Sequence, residues 1–519
     1  MAAADTEKKA EEAEKITSGE LLFCGSVSWD AMGRRRASPA GNIVSPTRIR
    51  SLVGVDIRFV AAGCGSCHCV ALDVEGRCYT WGRNEKGQLG HGDTLQRNMP
   101  TVVSALSEYK IVKAGAGKNH TVVVTEDGRS LSFGLNKQGQ LGTGSTRNEI
   151  EPSPVPCLVS QVTNAVCGAM FTVWLSSVEG SSILTAGHPQ YGQLGHGTDN
   201  EYNAKEVSVK LEYEAQPHPQ AIATFSEKKI VKVACGTNHT VAVDSSGFVY
   251  TWGYGGYGRL GHREQKDEWA PRLVEVFQRD NVLPPNAIVS ASSLCSACTA
   301  GGGLLYMWGK TKRSGDDSMY PKPVMDLSGW NIHCMDSGNM HHFVGADDSC
   351  ISWGQAQYGE LGYGPMGQTS SATPKKVDIL DGMHVMSVAC GLGFSLVVVD
   401  RTNAIDRLDE LEVYDGEPLV EAAGTDAKVN VTAKPTKNEE KKGAANSSQK
   451  RKKDSSVSED EGCESSEDEE EDENEDMETK GRHGGKASNR GRGRGAKKVA
   501  SEAKSSGRGR PRKGRSGRR

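Results

Sequence analysis

The amino-acid sequence predicts an all-β fold, a seven-bladed β-propeller closed between its N- and C-terminal strands and followed by a disordered C-terminal tail. Three observations predict it. A ten-residue phrase recurs as Trp81-Gly82 to Gly87-Gln88-Leu89-Gly90, Phe133-Gly134 to Gly139-Gln140-Leu141-Gly142, Ala186-Gly187 to Gly192-Gln193-Leu194-Gly195, Trp252-Gly253 to Gly258-Arg259-Leu260-Gly261 and Trp353-Gly354 to Gly359-Glu360-Leu361-Gly362, with degenerate copies at Phe23-Cys24-Gly25 and Trp308-Gly309. A second phrase, Gly-x-x-His or a variant, precedes each unit at Gly65, Gly117, Gly168, Gly236, Ser292, Gly338 and Gly391. Both phrases occur seven times, and self-similarity at a near-constant period means one supersecondary unit repeated. The third observation is that the first and last units are each incomplete.

Each unit reads as four strands. Val241-Ala242-Val243, Asp244 to Gly247 and Phe248 to Trp252 form a strand, a turn and a strand, which is a hairpin pattern. Ile230 to Ala234 supplies an apolar run before it, and Pro271-Arg272-Leu273-Val274 a Pro-led run after it. Four strands are the number expected of a propeller blade, and a Pro-led outermost strand fits an edge that needs no further donor. Residues 384–399 lack outer strands, whereas residues 21–25 and Pro46 to Ile49 lack inner ones. Joined, they make a complete blade and remove two exposed edges.

The domain plan that follows is a charged N-terminus (1–20), the propeller (21–400), a short helical extension (401–415) and a disordered tail (416–519). Apolar content collapses beyond Gly416, so that segment buries too little surface to offset its ordering entropy. The tail has three blocks: a basic cluster of the nuclear-import kind, Lys450-Arg451-Lys452-Lys453; an acidic run at 459–478; and a basic Arg-Gly-rich block at 480–519, where sixteen Lys or Arg stand against Glu502 alone. Ser458, Ser465 and Ser466 precede carboxylates and are phosphorylation candidates that would deepen the negative charge.

The chain carries 62 Lys plus Arg against 66 Asp plus Glu, a net charge of −4. No apolar run approaches a membrane span and the first residues are not a signal peptide, so a soluble intracellular protein without membrane contact is expected. Fourteen Cys raise the question of metal or disulfides. Aligned on the repeat, however, Cys64, Cys167, Cys235 and Cys390 alternate with Ala116, Ala291 and Ser337, a column that requires only a small side chain. Zinc at Cys64, Cys67 and Cys69 lacks a second ligand pair, and a reducing compartment fits. His68, His120, His239 and His341 alternate with Phe171, Cys295 and Phe394, so they are expected to pack under a turn rather than act as bases. No catalytic residue, metal site or cofactor is expected, and the glycines are assigned to turns of positive φ.

Paired in this way, the two phrases resemble the repeat of the regulator of chromosome condensation family, and Gly82 to Asp93, Trp252 to His262, Met319 to Lys322 and Ile351 to Gly354 resemble its second branch more narrowly. The resemblance covers about residues 20–400. It implies a seven-bladed, non-catalytic, monomeric scaffold that binds protein partners in the cell cycle, either a small GTPase or a chromosomal or microtubule-associated assembly. It also implies a nuclear, chromatin-associated location, with cytoplasmic presence as well. In relatives that discharge nucleotide from the GTPase Ran, the Gly-x-x-His turns carry acidic residues and a His. Here those places hold Ser66, Cys67, Lys118, Asn119, Ala169, Met170, Thr237, Asn238, Ser293, Leu294, Asn339, Met340, Leu392 and Gly393, none of them acidic or His. A plant ultraviolet receptor of the superfamily has Trp in this column, and this chain has none.

Arg508-Gly509-Arg510-Pro511-Arg512-Lys513 resembles an AT-hook, which implies contact with the minor groove of A·T-rich DNA through extended Arg-Gly-Arg-Pro backbone. Two other functions stay open, a guanine-nucleotide exchange factor and an RNA-associated adaptor acting through the Arg-Gly tail. The expected partner loop is the longest departure from the repeat, 196–229, with Glu201, Tyr202, Tyr213 and His218; Phe277 to Asn286 is the second.

Overall fold

The structure, a computed structural model, describes residues 18–34, 41–205, 209–312, 314–402 and 404–416. Six four-stranded antiparallel sheets and a seventh that carries a fifth, parallel strand at its outer edge follow one another in a ring, each ordered from first strand (innermost) outward. Blade 1 takes Ile57–Ala61, His68–Asp73, Cys78–Gly82 and Arg97–Val102. Blade 2 takes Ile111–Ala116, His120–Thr125, Ser130–Leu135 and Ile150–Pro156. Blade 3 takes Val162–Cys167, Phe171–Ser176, Ile183–Gly187 and Gln216–Ala221, and blade 4 takes Ile230–Cys235, His239–Asp244, Val249–Gly253 and Glu268–Leu273. Blade 5 takes Val289–Ala291, Cys295–Ala300, Leu304–Gly309 and Ser318–Pro323, and blade 6 takes Ile332–Ser337, His341–Ala346, Ser349–Gly354 and Ser371–Lys376.

Blade 7 closes the ring as the two incomplete units require. Its inner strands, Val385–Cys390 and Phe394–Asp400, come from the end of the propeller, and its outer strands, Gly19–Gly25 and Ile43–Ile49, from the beginning. Seven successive pairs run from Gly19↔Asp400 through Leu21↔Val398 to Gly25↔Phe394. The segment expected as a helical extension is shorter and mixed: a helix at Ile405–Asp409 precedes a two-residue strand, Val413–Tyr414, that pairs parallel with the outer edge at Arg48 and Ile49. It buries Leu408, Leu411 and Tyr414, which explains why the chain continues past the last repeat.

Local chemistry explains the hairpins. Asp244 Oδ1 accepts the N–H groups of Ser246 and Phe248 at 2.9 and 3.0 Å, and Asp73 holds Glu75 and Arg77 in the same way, so one carboxylate fixes the turn between second and third strands in blades 4 and 1; in blades 2 and 3 the hydroxyls of Thr125 and Ser176 accept instead. The Thr hydroxyl one residue before the Trp-Gly column, which Ala186 fills in blade 3, reaches the Leu carbonyl nine residues on: Thr80 to Leu89 at 2.7 Å, Thr185 to Leu194 at 2.7 Å, Thr251 to Leu260 at 2.6 Å. Each Leu is buried, and Trp81, Phe133, Trp252 and Trp308 fill the spaces between blades. Blade 3 has Ala186 in the aromatic column, and Trp174 of its second strand takes the space.

The Pro residues lie inside the fourth strands rather than at their starts. Glu268 already pairs with Gly253, the register then shifts, and Arg272 pairs with Thr251, which leaves Pro271 at the irregularity. A bulge on an edge strand tolerates a missing donor as well as a strand end does.

Candidate partner-binding face

In an antiparallel blade the first-to-second and third-to-fourth connections emerge at the same end. One face of the ring therefore carries every Gly-x-x-His turn and every Trp-Gly loop. The turns bond to one another around the axis: Lys118 N–H to Ala169 O at 3.2 Å, Ala169 N–H to Thr237 O at 3.0 Å and Leu392 N–H to Ser66 O at 2.9 Å. Cys64 of blade 1 and Thr237 of blade 4, on opposite sides of the ring, meet at 3.5 Å. The axis is thus closed at these residues, and a partner meets a surface rather than an open channel.

The His column does more than pack. His120 Nε2 lies 2.9 Å from Thr172 Oγ1 of the next blade, and Thr172 Oγ1 donates its proton to Gln140 O at 2.7 Å. Thr172 therefore accepts from His120, which places the imidazole proton on Nε2 and leaves Nδ1 bare and without a partner. His68 to Thr121 (2.7 Å), His239 to Ser296 (2.8 Å) and His341 to Ser395 (2.9 Å) repeat the bond. Burial pulls His68 and His120 down to about 3 and His341 to about 4, so these rings are neutral staples between blades. The blade 5–6 interface inverts the sizes: small Cys295 stands in the His column, and His342 in the next blade's hydroxyl column bonds Ser337 Oγ at 2.9 Å.

The glycine of this phrase was assigned to a turn of positive φ, and the geometry corrects that. A Cβ on Gly117 would fall 2.2 Å from His120 Cε1, on Gly236 2.2 Å from His239 Cε1, and on Gly391 2.2 Å from Phe394 Cε1. None of the three has positive φ, so the residue is Gly because the ring three positions on lies flat against it. The glycines of the Trp-Gly phrase do require positive φ, as at Gly82 (112°) and Gly87 (74°).

All thirteen cysteines of the described residues are free thiols, most of them buried, and burial raises Cys78 to about 12. Among the described residues no group of His, Cys, Asp or Glu is arranged to hold a metal ion, and no helix is long and apolar enough to cross a membrane.

The long departure from the repeat resolves into two parts. Glu201–Asn203 and Leu211–Tyr213 form an extra antiparallel hairpin in the third-to-fourth connection of blade 3. Tyr213 packs edge-on against His188 with centroids 5.8 Å apart, and Tyr202 OH donates to Glu212 Oε2 at 2.9 Å. Tyr202, Val209 and Leu211 are exposed on it. His218, by contrast, belongs to the fourth strand of blade 3, so the structure separates it from Glu201, Tyr202 and Tyr213. The second expected loop is largely anchored: Phe277 and Leu283 are buried in the core between blades 4 and 5. Lys450 to Lys453, Ser458, Ser465, Ser466 and Arg508 to Lys513 lie outside the described residues.

Sequence reasoning passed over a second group on this face: Tyr191, Tyr254, Tyr257, Arg259 and Lys310. The signal was present, because Arg259 stands where blades 1 to 3 have Gln, and Tyr191 and Tyr257 occupy equivalent positions. Tyr191 and Tyr254 rings are 4.7 Å apart, the Arg259 guanidinium is 4.6 Å from the Tyr254 centroid and 5.4 Å from that of Tyr257, and Lys310 Nζ is 4.8 Å from Tyr257. Burial holds the Arg259 pKa below its ordinary value.

The architecture and this face define a class, the seven-bladed propellers of tandem Gly-x-x-His and Trp-Gly repeats. Residues 15–288 match the RCC1-like domain and residues 347–398 the regulator of chromosome condensation (RCC1) repeat. Protein RCC2 of Mus musculus is 40% identical over 428 residues, covering 77% of this chain and 81% of that protein, and the Danio rerio homologue is 37% identical with 77% and 85% coverage. The ultraviolet-B receptor UVR8 of Arabidopsis thaliana is 30% identical, covering 65% and 74%. The chain belongs to the regulator of chromosome condensation family, in its RCC2 branch. Human WBSCR16 shares the fold at TM-score 0.59 and 19% identity, covering 74% of this chain and 99% of that one. Prp20p of Saccharomyces cerevisiae, whose structure was described with its binding to Gsp1p and histones, shares it at 0.57 and 18%, covering 76% and 96%.

Proposed function

We propose that this chain is a non-catalytic scaffold that recognises a protein partner on the face bearing the Glu201–Tyr213 hairpin. The partner is a small GTPase or a chromosomal or microtubule-associated assembly of the cell cycle, and the 480–519 block adds contact with chromatin DNA in the nucleus. The observation that carries it is the mounting of the hairpin: an element no blade needs, docked through Tyr213 on His188, with Tyr202, Val209 and Leu211 exposed. A rigid ring with an added loop lowers the entropic cost of recognition. Prp20p was described with binding to Gsp1p and histones, which supports testing protein partners of both soluble and chromosomal kinds.

The test is affinity capture with the full chain and a variant in which 201–213 is replaced by a Gly-Ser link. Specific partners are expected to disappear with the hairpin; an unchanged set would sink this reading. Deleting 480–519 should reduce chromatin retention, and unchanged retention would remove the DNA contact from it. Exchange activity is a separate reading, supported if the protein speeds nucleotide release from any of a panel of GTPases.

A further inference from the structure

The Trp-Gly loops of blades 3 and 4 depart from the others in one shared way. In blades 1 and 2 the residue before the second glycine, Lys86 or Gln138, has its N–H held by the side-chain Oε1 of Gln88 or Gln140 at 2.9 Å. In blade 6 Glu360 holds the Tyr358 N–H at 2.6 Å. In blades 3 and 4 the residue is Tyr191 or Tyr257, its backbone lies in the left-handed region at φ 66° and 60°, and the bond is gone. Gln193 is 1% exposed with both side-chain polar atoms unpartnered, and in blade 4 the Gln is replaced by Arg259. A bulky residue in that backbone region is strained, and such strain clusters at functional sites. Here it recurs in two neighbouring blades, each time holding a tyrosine.

Arg259 is the second observation. It is 2% exposed and donates Nε to Gly256 O at 2.9 Å and Nη1 to Ser293 O, while among the described residues Nη2 donates to nothing and no carboxylate pairs with it. Asp267, whose charge acts on Tyr191, accepts the Gly255 N–H at 2.9 Å. The tyrosine rings give Arg259 only their quadrupoles, so among the described residues this buried positive charge has no carboxylate paired with it, and it stands next to the half-buried Lys310.

We propose that Tyr191, Tyr254, Tyr257, Arg259 and Lys310 form a docking site for an acidic peptide segment of a partner protein. Its carboxylates pair with Lys310 and lie in the field of Arg259, and the phenol O–H groups of the strip donate to them. Nucleic acid fits less well, because Tyr254 and Tyr257 already pack against cations and offer no clear platform for bases. The strip lies in the loops of blades 3 to 5 rather than in the hairpin, so its failure leaves the hairpin reading standing, and the reverse also holds.

The experiment is fluorescence anisotropy of a short labelled peptide of Glu, Asp and Gly titrated with the full chain. Arg259→Gln installs the residue that Gln88, Gln140 and Gln193 represent in other blades, so the ring should form; binding is expected to weaken about tenfold, and with Lys310→Gln about threefold. Tyr257→Gly removes the left-handed strain, so it should raise the melting temperature while weakening the peptide. The proposal is overturned if Arg259→Gln folds and binds the peptide as the parent does, the signal then belonging to the basic 480–519 block. It is overturned equally if Arg259→Gln loses a short single-stranded DNA but keeps the peptide.

Discussion

Arg401, the first residue past Phe394–Asp400, places Nη2 2.9 Å from Oε2 of Glu20 in Gly19–Gly25, the third strand of blade 7. Arg48 of the outer strand places Nε 3.0 Å from the other oxygen of the same buried carboxylate. Three chain segments of blade 7 thus converge on one acid at the seam where the ring closes. Asp56 and Asp409 pair with the outward sides of Arg401 and Arg48.

Glu20→Ala should therefore cost about 2–3 kcal/mol, somewhat below the range for a wholly uncompensated buried charge because Asp56 and Asp409 remain. Urea unfolding of the variant measures it. A midpoint equal to that of the parent would mean that strand pairing alone seals the ring.

Removing residues 18–25 takes away the whole pairing from Gly19↔Asp400 to Gly25↔Phe394 and exposes the edge of Phe394–Asp400. The shortened chain should self-associate, as open strand edges do. Light scattering at constant concentration should rise well above that of the parent; a stable monomer would contradict the seam.

Two glycines of the same column should respond differently to alanine. A Cβ on Gly65 meets nothing within 4 Å, whereas on Gly117 it meets His120 at 2.2 Å and Gly168 O at 2.7 Å. Gly65→Ala should be nearly neutral and Gly117→Ala should cost about 2 kcal/mol, an overpacking penalty. Equal effects in thermal unfolding would refute the ring-clearance explanation.

His120→Phe should be tolerated within about 1 kcal/mol, because the chain itself has Phe171 and Phe394 at equivalent places and Thr172 keeps its bond to Gln140. His120→Ala should cost about 2–4 kcal/mol through the cavity it leaves. Denaturant titration separates the two.

Acid should destabilise the ring. The buried His68, His120 and His342 protonate only at about 3 and His341 at about 4, against about 6.5 when unfolded. As pH falls below about 6.5 the unfolded chain binds protons the native state refuses, so each ring removes about 1.4 kcal/mol per pH unit. Asp336 acts in the opposite direction: burial raises it to about 7, so the native state is protonated first and gains stability from about pH 7 down to about 4. Burial raises the Glu360 carboxyl in the same direction, but the lowered histidines, His239 among them, outnumber the two acids, and Asp336 is only part-buried, which reduces its share. His341→Phe should flatten the loss of stability between about pH 6.5 and 5, and Asp336→Asn should steepen it. Unfolding midpoints at the two pH values decide.

Repetition made the fold legible. Trp81-Gly82, Trp252-Gly253 and Trp353-Gly354 mark the same strand end in three blades, and the half-units at 21–25 and 384–399 required a shared blade. The Pro positions misled by a few residues because a bulge, invisible in sequence, lets Pro271 sit inside a strand. His218 was grouped with Tyr202 because both depart from the repeat, although only a register could show that Gln216–Ala221 completes blade 3.

Sequence alone determined the blade count, the strand content and the closure, since these follow from periodic side-chain chemistry that every copy restates. Tertiary structure decided what lies between copies: the proton on His120 Nε2, the three-way seam at Glu20, the Cys64–Thr237 closure and the burial of Arg259 among tyrosine rings. Each joins residues remote in sequence whose approach depends on the curvature of the ring, and no local pattern encodes that distance.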